Sequence, residues 1–284
     1  MSRTRRLTSM ARCSRDDCRR WRSTLLVRWA KVGLWLDDAW FCSHACVEAA
    51  AARRLRGVRP RDVSPPSPRL ALGVVLVRQG AITSGELRQA LDSQRTSGLR
   101  LGAELQRLGL VDRETVLRAL SAQSGVSYLA TIDAASVRHA PGGLSIDEVR
   151  ALGVVPFQAL AHNILRVACA APLPRAALGA LETLMGCTAD PYLVADDDLD
   201  RLINAYGTAA SRRVDVSTVR DIDDGAGRIA AAAAAERSVR VTEAHVDPFT
   251  WVRIAANGRI SALRVPADSD LEEGPRCLAA ITPH

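Results

Sequence analysis

LGVVLVRQGAIT (72–83) and LGAELQRLGLVD (101–112) nearly repeat each other 29 residues apart, and how they are read decides the fold of the middle of the chain. At that offset Leu72/Leu101, Gly73/Gly102, Leu76/Leu105, Arg78/Arg107, Gly80/Gly109, Ala90/Ala119, Leu91/Leu120 and Gln94/Gln123 are identical, and Ile82/Val111 and Leu87/Val116 are conservative. The apolar spacing is helical, with Leu72, Val75 and Leu76 on one face and Leu87, Ala90 and Leu91 on another. Gly80 is placed to end a short first helix in the left-handed region, and Thr83-x-x-Glu86 has the form of a capping box that opens a second. The other copy stops at Gly109, and Asp112 is placed to cap its next helix. Each copy therefore reads as a helix, a glycine turn and a helix ending in glutamine.

Burial explains the leucines, since each one buried contributes roughly 1.5–3 kcal/mol. It offers no reason for an amide at the same place twice. Solenoids need three or more copies, so a pair points elsewhere. Two equal half-sites, each with glycine backbone, an apolar floor and one amide, suit a ligand made of two equal halves, such as a symmetric dinucleotide.

Residues 71–123 resemble the MshEN-type domain, the N-terminal cyclic-di-GMP-binding module of type II secretion and type IV pilus assembly ATPases. The family's unit begins Arg-Leu-Gly, has glycine at its tenth place and ends in glutamine; here the copies are 71–94 and 100–123, separated by RTSGL (95–99). The resemblance continues through 125–207, in GVSYL, VVPFQALAHNILRVACAAP, MGCTADPYLVA and INAYG. It implies one half-site of Arg100, Leu101, Gly102 and Gln123 over Leu105, Val116 and Leu120, and another of Leu72, Gly73 and Gln94 over Leu76, Leu87 and Leu91. Two departures stand out: Ala71 replaces the arginine that opens the first motif, and Gln106 replaces an apolar residue in the second. Losing a hydrogen bond to a charged group, on the order of 1.5–3 kcal/mol, weakens binding roughly ten- to a hundred-fold.

The family's ATPases need a phosphate loop with an invariant lysine. This chain's one lysine, Lys31, lies between Ala30 and Val32, so no such loop is present. There is no HExxH pattern and no GxSxG elbow, and the acidic run Asp196–Asp198 reads as a capped, solvated helix start. A non-enzymatic protein is expected.

Of the 38 basic residues, fifteen fall in 1–62 against six acids, a local charge of +9 where the whole chain carries +7. The same segment holds four of the five tryptophans and four of the seven cysteines. Cys13, Cys18, Cys42 and Cys46 form C-x4-C-x23-C-x3-C, two close pairs around a span able to fold back as a hairpin. The second pair opens an evident helix, CVEAAAARRL. Four thiolates in two pairs suit a structural Zn2+ with no open position; disulfides are the alternative, disfavoured without a secretion signal. His44 is a substitute ligand. The surrounding arginines offer contacts to nucleic acid. Cys169, Cys187 and Cys277 sit in apolar surroundings and read as buried small hydrophobes.

The rest of the chain gives an α+β multidomain protein. A zinc-stapled module (1–58) and a Pro-rich linker (59–68) precede the all-helical duplicated domain (69–127). A small α/β domain (128–210) follows, with strands at 154–160 and 164–170 around His162-Asn163, a helix at 174–186, a strand TADPYLVA and a helix at 196–207. The last part (211–284) holds a loose charged stretch at 211–224, an alanine-rich helix and a hairpin turning at Asn257-Gly258. The best apolar stretch, STLLVRWAKVGLWL, is cut by Arg28 and Lys31, so no membrane insertion is expected, and the basic start lacks a secretory core, which suggests a bacterial cytoplasmic location. The expected function is a regulatory adaptor that binds cyclic-di-GMP and relays it to a protein partner, such as a secretion or pilus ATPase or its platform. The alternatives are a zinc-dependent nucleic-acid-binding regulator that uses the repeat for protein contacts, and a docking subunit with vestigial half-sites.

Overall fold

The computed structural model describes residues 10–29, 32–58, 70–137, 143–209, 214–246 and 248–266. The linker at 59–68, Cys277 and the C-terminal tail lie outside the described residues. Along the chain come β1 (Met10–Arg12), β2 (Trp21–Ser23), α1 (Thr24–Trp29), β3 (Leu34–Leu36), β4 (Ala39–Phe41) and α2 (His44–Gly57). The duplicated region supplies α3 (Leu72–Arg78), α4 (Ser84–Ser97), α5 (Leu101–Arg107) and α6 (Arg113–Ser124). Then follow α7 (Ile146–Leu152), β5 (Val154–Leu160), β6 (Ile164–Cys169), α8 (Arg175–Met185), β7 (Thr188–Leu193) and α9 (Asp196–Ala209). The last elements are β8 (Asp215–Thr218), α10 (Ile222–Glu236), β9 (Ser238–Val246), β10 (Phe249–Ala256) and β11 (Arg259–Pro266).

These elements form two compact units, and the division differs from the one the sequence suggested. The cysteine-bearing segment and the C-terminal segment, expected to be separate, build one unit together, while the stretch between them forms the other. In the first unit six strands run in the order β4-β3-β9-β10-β11-β8. The hairpin β3–β4 turns through Asp37 and Asp38, both left-handed, and β3 then pairs in parallel with β9. Residues 215–218, expected to be loose, form the edge strand β8 and pair in parallel with β11. The hairpin β10–β11 turns at Asn257-Gly258 as its sequence demands, both residues at positive φ.

One core holds this unit together, with Val47, Ala51 and Leu55 of α2, Ala226, Ile229, Ala230 and Ala233 of α10, and Val239, Val241, Val252, Ile254, Leu263 and Val265 of the sheet. The alanine face of α10 lets it lie close to α2, and at Gly225 an added Cβ would stand 3.2 Å from Val265 and 3.4 Å from Leu55. Asp221 caps α10 by accepting from the Asp224 amide at 2.7 Å.

In the second unit the local signals in the repeat act as written. Gly80, Gly98, Gly109 and Gly125 all adopt positive φ. Thr83 and Glu86 form the reciprocal capping box of α4, and Asp112 accepts from the Thr115 amide at 2.8 Å to cap α6. The small sheet has the order β5-β6-β7, with β5–β6 antiparallel through His162 and Asn163, both left-handed, and β6–β7 parallel with α8 as the crossover. α7, which the sequence reading did not find, carries its own capping box from Ser145 and Glu148.

Candidate functional site

The four short and long helices of the repeat exchange partners. α3 of the first copy packs on α6 of the second, and α5 of the second packs on α4 of the first. The glycines make the close approach possible, in matching ways. A Cβ at Gly73 would stand 2.5 Å from Leu87 Cδ1 and 3.3 Å from Leu101 Cδ2, while one at Gly102 would stand 2.8 Å from Val116 Cγ1 and 3.7 Å from Leu72 Cδ2. Leu72 and Leu101 thus each lean on the glycine of the other copy, and the two motif starts lie side by side.

The glutamines follow the same symmetry and have a structural use that the sequence reading missed. Gln94 Nε2 donates to the Leu99 carbonyl at 2.8 Å, and Gln123 Nε2 donates to the Leu70 carbonyl. Leu70 and Leu99 are equivalent residues, each standing just before a motif, so each amide ties the end of one copy to the threshold of the other. The residues that open the motifs share one backbone conformation, Ala71 at φ −60, ψ 144 and Arg100 at φ −64, ψ 146.

The residues assigned to an apolar floor divide by depth. Leu76 and Leu105 have no exposed surface and belong to the core with Val75, Ile82, Ala90 and Ala119. Val116 is buried, Leu87 and Leu120 are half-buried, and Leu91 is exposed, as are Leu70 and Leu99 beside the glutamines. The open rim between the copies is therefore formed by Leu70, Ala71, Leu99 and Arg100, over Leu72, Leu101, Gln94 and Gln123.

Charges at this rim come from a place the sequence reading treated as solvated. Asp196 at the start of α9 pairs with Arg100 at 3.2 Å, and Asp197 pairs with Arg113 at 3.1 Å. Asp198 is buried and pairs with both Arg113 and Arg201, so the acidic run docks α9 onto α6. Glu104 was also missed. It sits where the first copy has Val75, has no exposed surface, and is held by Arg107 at 2.5 Å and by the Ser97 hydroxyl at 2.8 Å. The Arg107 guanidinium, with Ser93 and Ser97, holds its carboxyl down at about 2. A charged residue at a core position of one copy only was the available signal.

The cysteine cluster lies in the other unit. Cys13 and Cys18 come from the loop between β1 and β2, while Cys42 directly follows β4 and Cys46 lies in the first turn of α2. All four sulfurs fall within 4.8 Å of one another. Cys18–Cys42 and Cys42–Cys46 are 3.7 and 3.6 Å apart, too long for disulfides and close to the roughly 3.8 Å edge of a tetrahedron built on bonds of about 2.3 Å to zinc. Burial, reinforced by Cys46 and Cys18, pushes the Cys42 thiol up to about 12. Burial also raises Cys46, but Ser43 and the three other cysteines outweigh it and bring that thiol to about 7. Four sulfurs this close together are a donor set suited to a soft, tetrahedral cation. His44 stands outside it, exposed and 3.6 Å from Glu48. Cys169 is buried, its thiol raised to about 12 by burial, and Cys187 is half-buried and also raised, mainly by burial.

Comparison with known families matches residues 125–213 to the MshEN domain. That match begins two residues after Gln123, so the two motifs directly precede it. Comparison with curated proteins gave no match. Among solved structures, one described as MshE with cdg is 25% identical, covers 49% of this chain and 99% of that chain, and has a TM-score of 0.39. A crystal form of the N-terminal domain of XpsE is 22% identical, covering 47% of this chain and 92% of that chain at a TM-score of 0.35. A second crystal form of the same domain is 22% identical, covering 49% and 98% at 0.29.

Proposed function

We propose, from the premise that residues 125–213 are an MshEN domain, that the duplicated helices directly before it form a receptor for cyclic-di-GMP. In this reading the chain is a non-enzymatic regulator that relays the messenger to a protein partner in a type II secretion or type IV pilus system. The observation that carries it is the symmetry of the rim: Ala71 and Arg100 open the two copies in one backbone conformation, and each glutamine reaches the threshold of the other copy. A ligand of two equal halves meets like groups from both sides of such a rim. Arg100 supplies charge for a phosphate, and its exposed pairing with Asp196 is of the kind that contributes about 0–1 kcal/mol, so a ligand displaces it cheaply. The first copy, with Ala71, lacks that charge. The four cysteines are read as a structural zinc site that fixes the β1–β2 loop to α2.

Calorimetric titration with cyclic-di-GMP, with GTP as control, tests this. Binding that is selective for cyclic-di-GMP and lost in Arg100→Ala supports it, provided the variant keeps its helical content. Absence of heat at ligand concentrations of about 100 μM, where even a weak site of about −5.5 kcal/mol would be half filled, overturns it.

A further inference from the structure

The first unit carries a surface that neither the cyclic-di-GMP reading nor the cysteine cluster uses. Of the large apolar side chains exposed among the described residues, Met10 (53%), Trp21 (51%), Leu25 (60%), Leu26 (51%) and Val32 lie together in sequence around β1, β2 and α1. The register places Arg12 opposite Trp21 and Met10 opposite Ser23, so Met10, Arg12 and Trp21 share one face of the hairpin. The Arg12 guanidinium lies 5.8 Å from the Trp21 ring centre. α1, packed against this hairpin, buries Val27 in the core and leaves Leu25 and Leu26 in solvent. The cysteine cluster anchors the loop from which β2 emerges.

The charges beside these residues are unusual in having no counter-charge. Arg15 pairs with Asp17, Arg53 with Asp16, and Arg56 with Asp223. Arg12, Arg19, Arg20 and Arg22 have no carboxylate partner among the described residues. Arg22 pairs with Ala11 on the other face of the hairpin, but Arg12 beside Trp21 and Arg19 and Arg20 just before it are uncompensated next to exposed apolar side chains, which makes a polyanion with an apolar interior the complementary partner. A second copy of this face is excluded by like charge. Nucleic acid meets the arginines and gives Trp21 a base to stack on, but offers nothing to bury Met10, Leu25 and Leu26. An anionic phospholipid surface satisfies both sets at once, with guanidiniums among the phosphates and apolar tips at the acyl boundary.

We propose that the tip formed by β1, β2 and the start of α1 docks the protein onto anionic phospholipid bilayers, lying on the surface without spanning it. Each arginine near such a surface is worth about five-fold in partitioning, and burying the leucines adds an apolar share that salt does not screen. This proposal is independent of cyclic-di-GMP.

The test is co-sedimentation of the full chain, purified with zinc and without cyclic-di-GMP, with large vesicles of phosphatidylcholine alone or containing a minor fraction of phosphatidylglycerol. Binding is expected only to the mixed vesicles. It should fall about 25-fold in Arg19→Gln/Arg20→Gln, and about ten-fold or more in Leu25→Ser/Leu26→Ser, with the second loss persisting at high salt. Unchanged zinc content and circular dichroism show that these exposed substitutions leave the fold intact. Equal binding to both vesicles, no binding, or insensitivity to either double variant overturns the proposal. No binding to the mixed vesicles, together with binding to a single-stranded oligonucleotide that is lost in Trp21→Ala but kept in Leu25→Ser/Leu26→Ser, would overturn it in favour of nucleic acid.

Discussion

Gly73 and Gly102 occupy the same place in two copies, yet their neighbours yield differently. The atom that meets a new Cβ at Gly73 is the tip of Leu87, at the end of a flexible side chain, whereas at Gly102 it is Cγ1 of Val116, stiff at χ1. Gly102→Ala is therefore expected to destabilise by about 1–2 kcal/mol even after the helix-propensity gain, and Gly73→Ala by clearly less, which chemical denaturation of the two variants will compare. Glu104 gives the repeat an acid-sensitive point. Its folded pKa of about 2 lies below the ordinary 4.5, so the stability it contributes is present above 4.5 and is lost as pH falls toward 2. Glu104→Val, which restores the residue of the first copy at position 75, should remove Glu104's share of that loss, so between pH 5 and pH 2 the melting temperature should fall less for the variant than for the native chain, Glu86 and Asp112 accounting for part of the remaining fall. The glutamines show what a lone sequence hides. Their recurrence was visible, but of the carbonyls they bond only Leu99 lies nearby in sequence, and Leu70, 53 residues before Gln123, becomes a partner only when α3 packs on α6.

At the scale of elements, what was legible depended on whether the signal was local. The capping box of α4, the Asp112 cap, the left-handed glycines and the Asn257-Gly258 hairpin are written in neighbouring residues, and each forms where its sequence placed it. The alternation Val239-Arg240-Val241 is a readable strand signal, and β9 is the strand that joins the halves of the first sheet. β8 carried no such signal, because an edge of four residues owes its strand state to β11. Beside the shared apolar core, Arg54 ties α2 to the C-terminal sheet. It pairs with Asp37 in the β3–β4 turn and with Glu243 of β9, and donates to the Val241 carbonyl at 2.8 Å, while Asp37 accepts from the Val241 amide at 2.7 Å. Arg54→Ala leaves the mostly buried Glu243 carboxylate without this partner and should cost about 2–3 kcal/mol; guanidinium denaturation of the first unit will read it. Arg54→Lys should recover only part, since one ammonium cannot span both acids as the fork does.

At the scale of the molecule, the cysteine segment could not be recognised from sequence as half of a larger unit, because the residues that complete its core begin more than 150 positions later. Cys13 and Cys46 are buried in the same core as Val239 and Val265, so removal of the proposed zinc should not stay local. Chelation is expected to lower the melting temperature of the whole first unit, C-terminal sheet included, and to speed amide exchange in β9 and β10 while leaving α3 to α6 protected. For the same reason a fragment of residues 1–62 should stay largely unfolded even with zinc. In the other unit, the two copies are proposed to be equivalent halves of one cyclic-di-GMP site, the first weakened by Ala71. Position 71 is exposed and already has the backbone of Arg100, so an arginine fits there without strain. The most direct test is the affinity of Ala71→Arg for cyclic-di-GMP, measured by calorimetry beside the native chain. Binding should become roughly ten- to a hundred-fold tighter at unchanged stoichiometry; an affinity equal to or weaker than that of the native chain would rule out two equivalent half-sites.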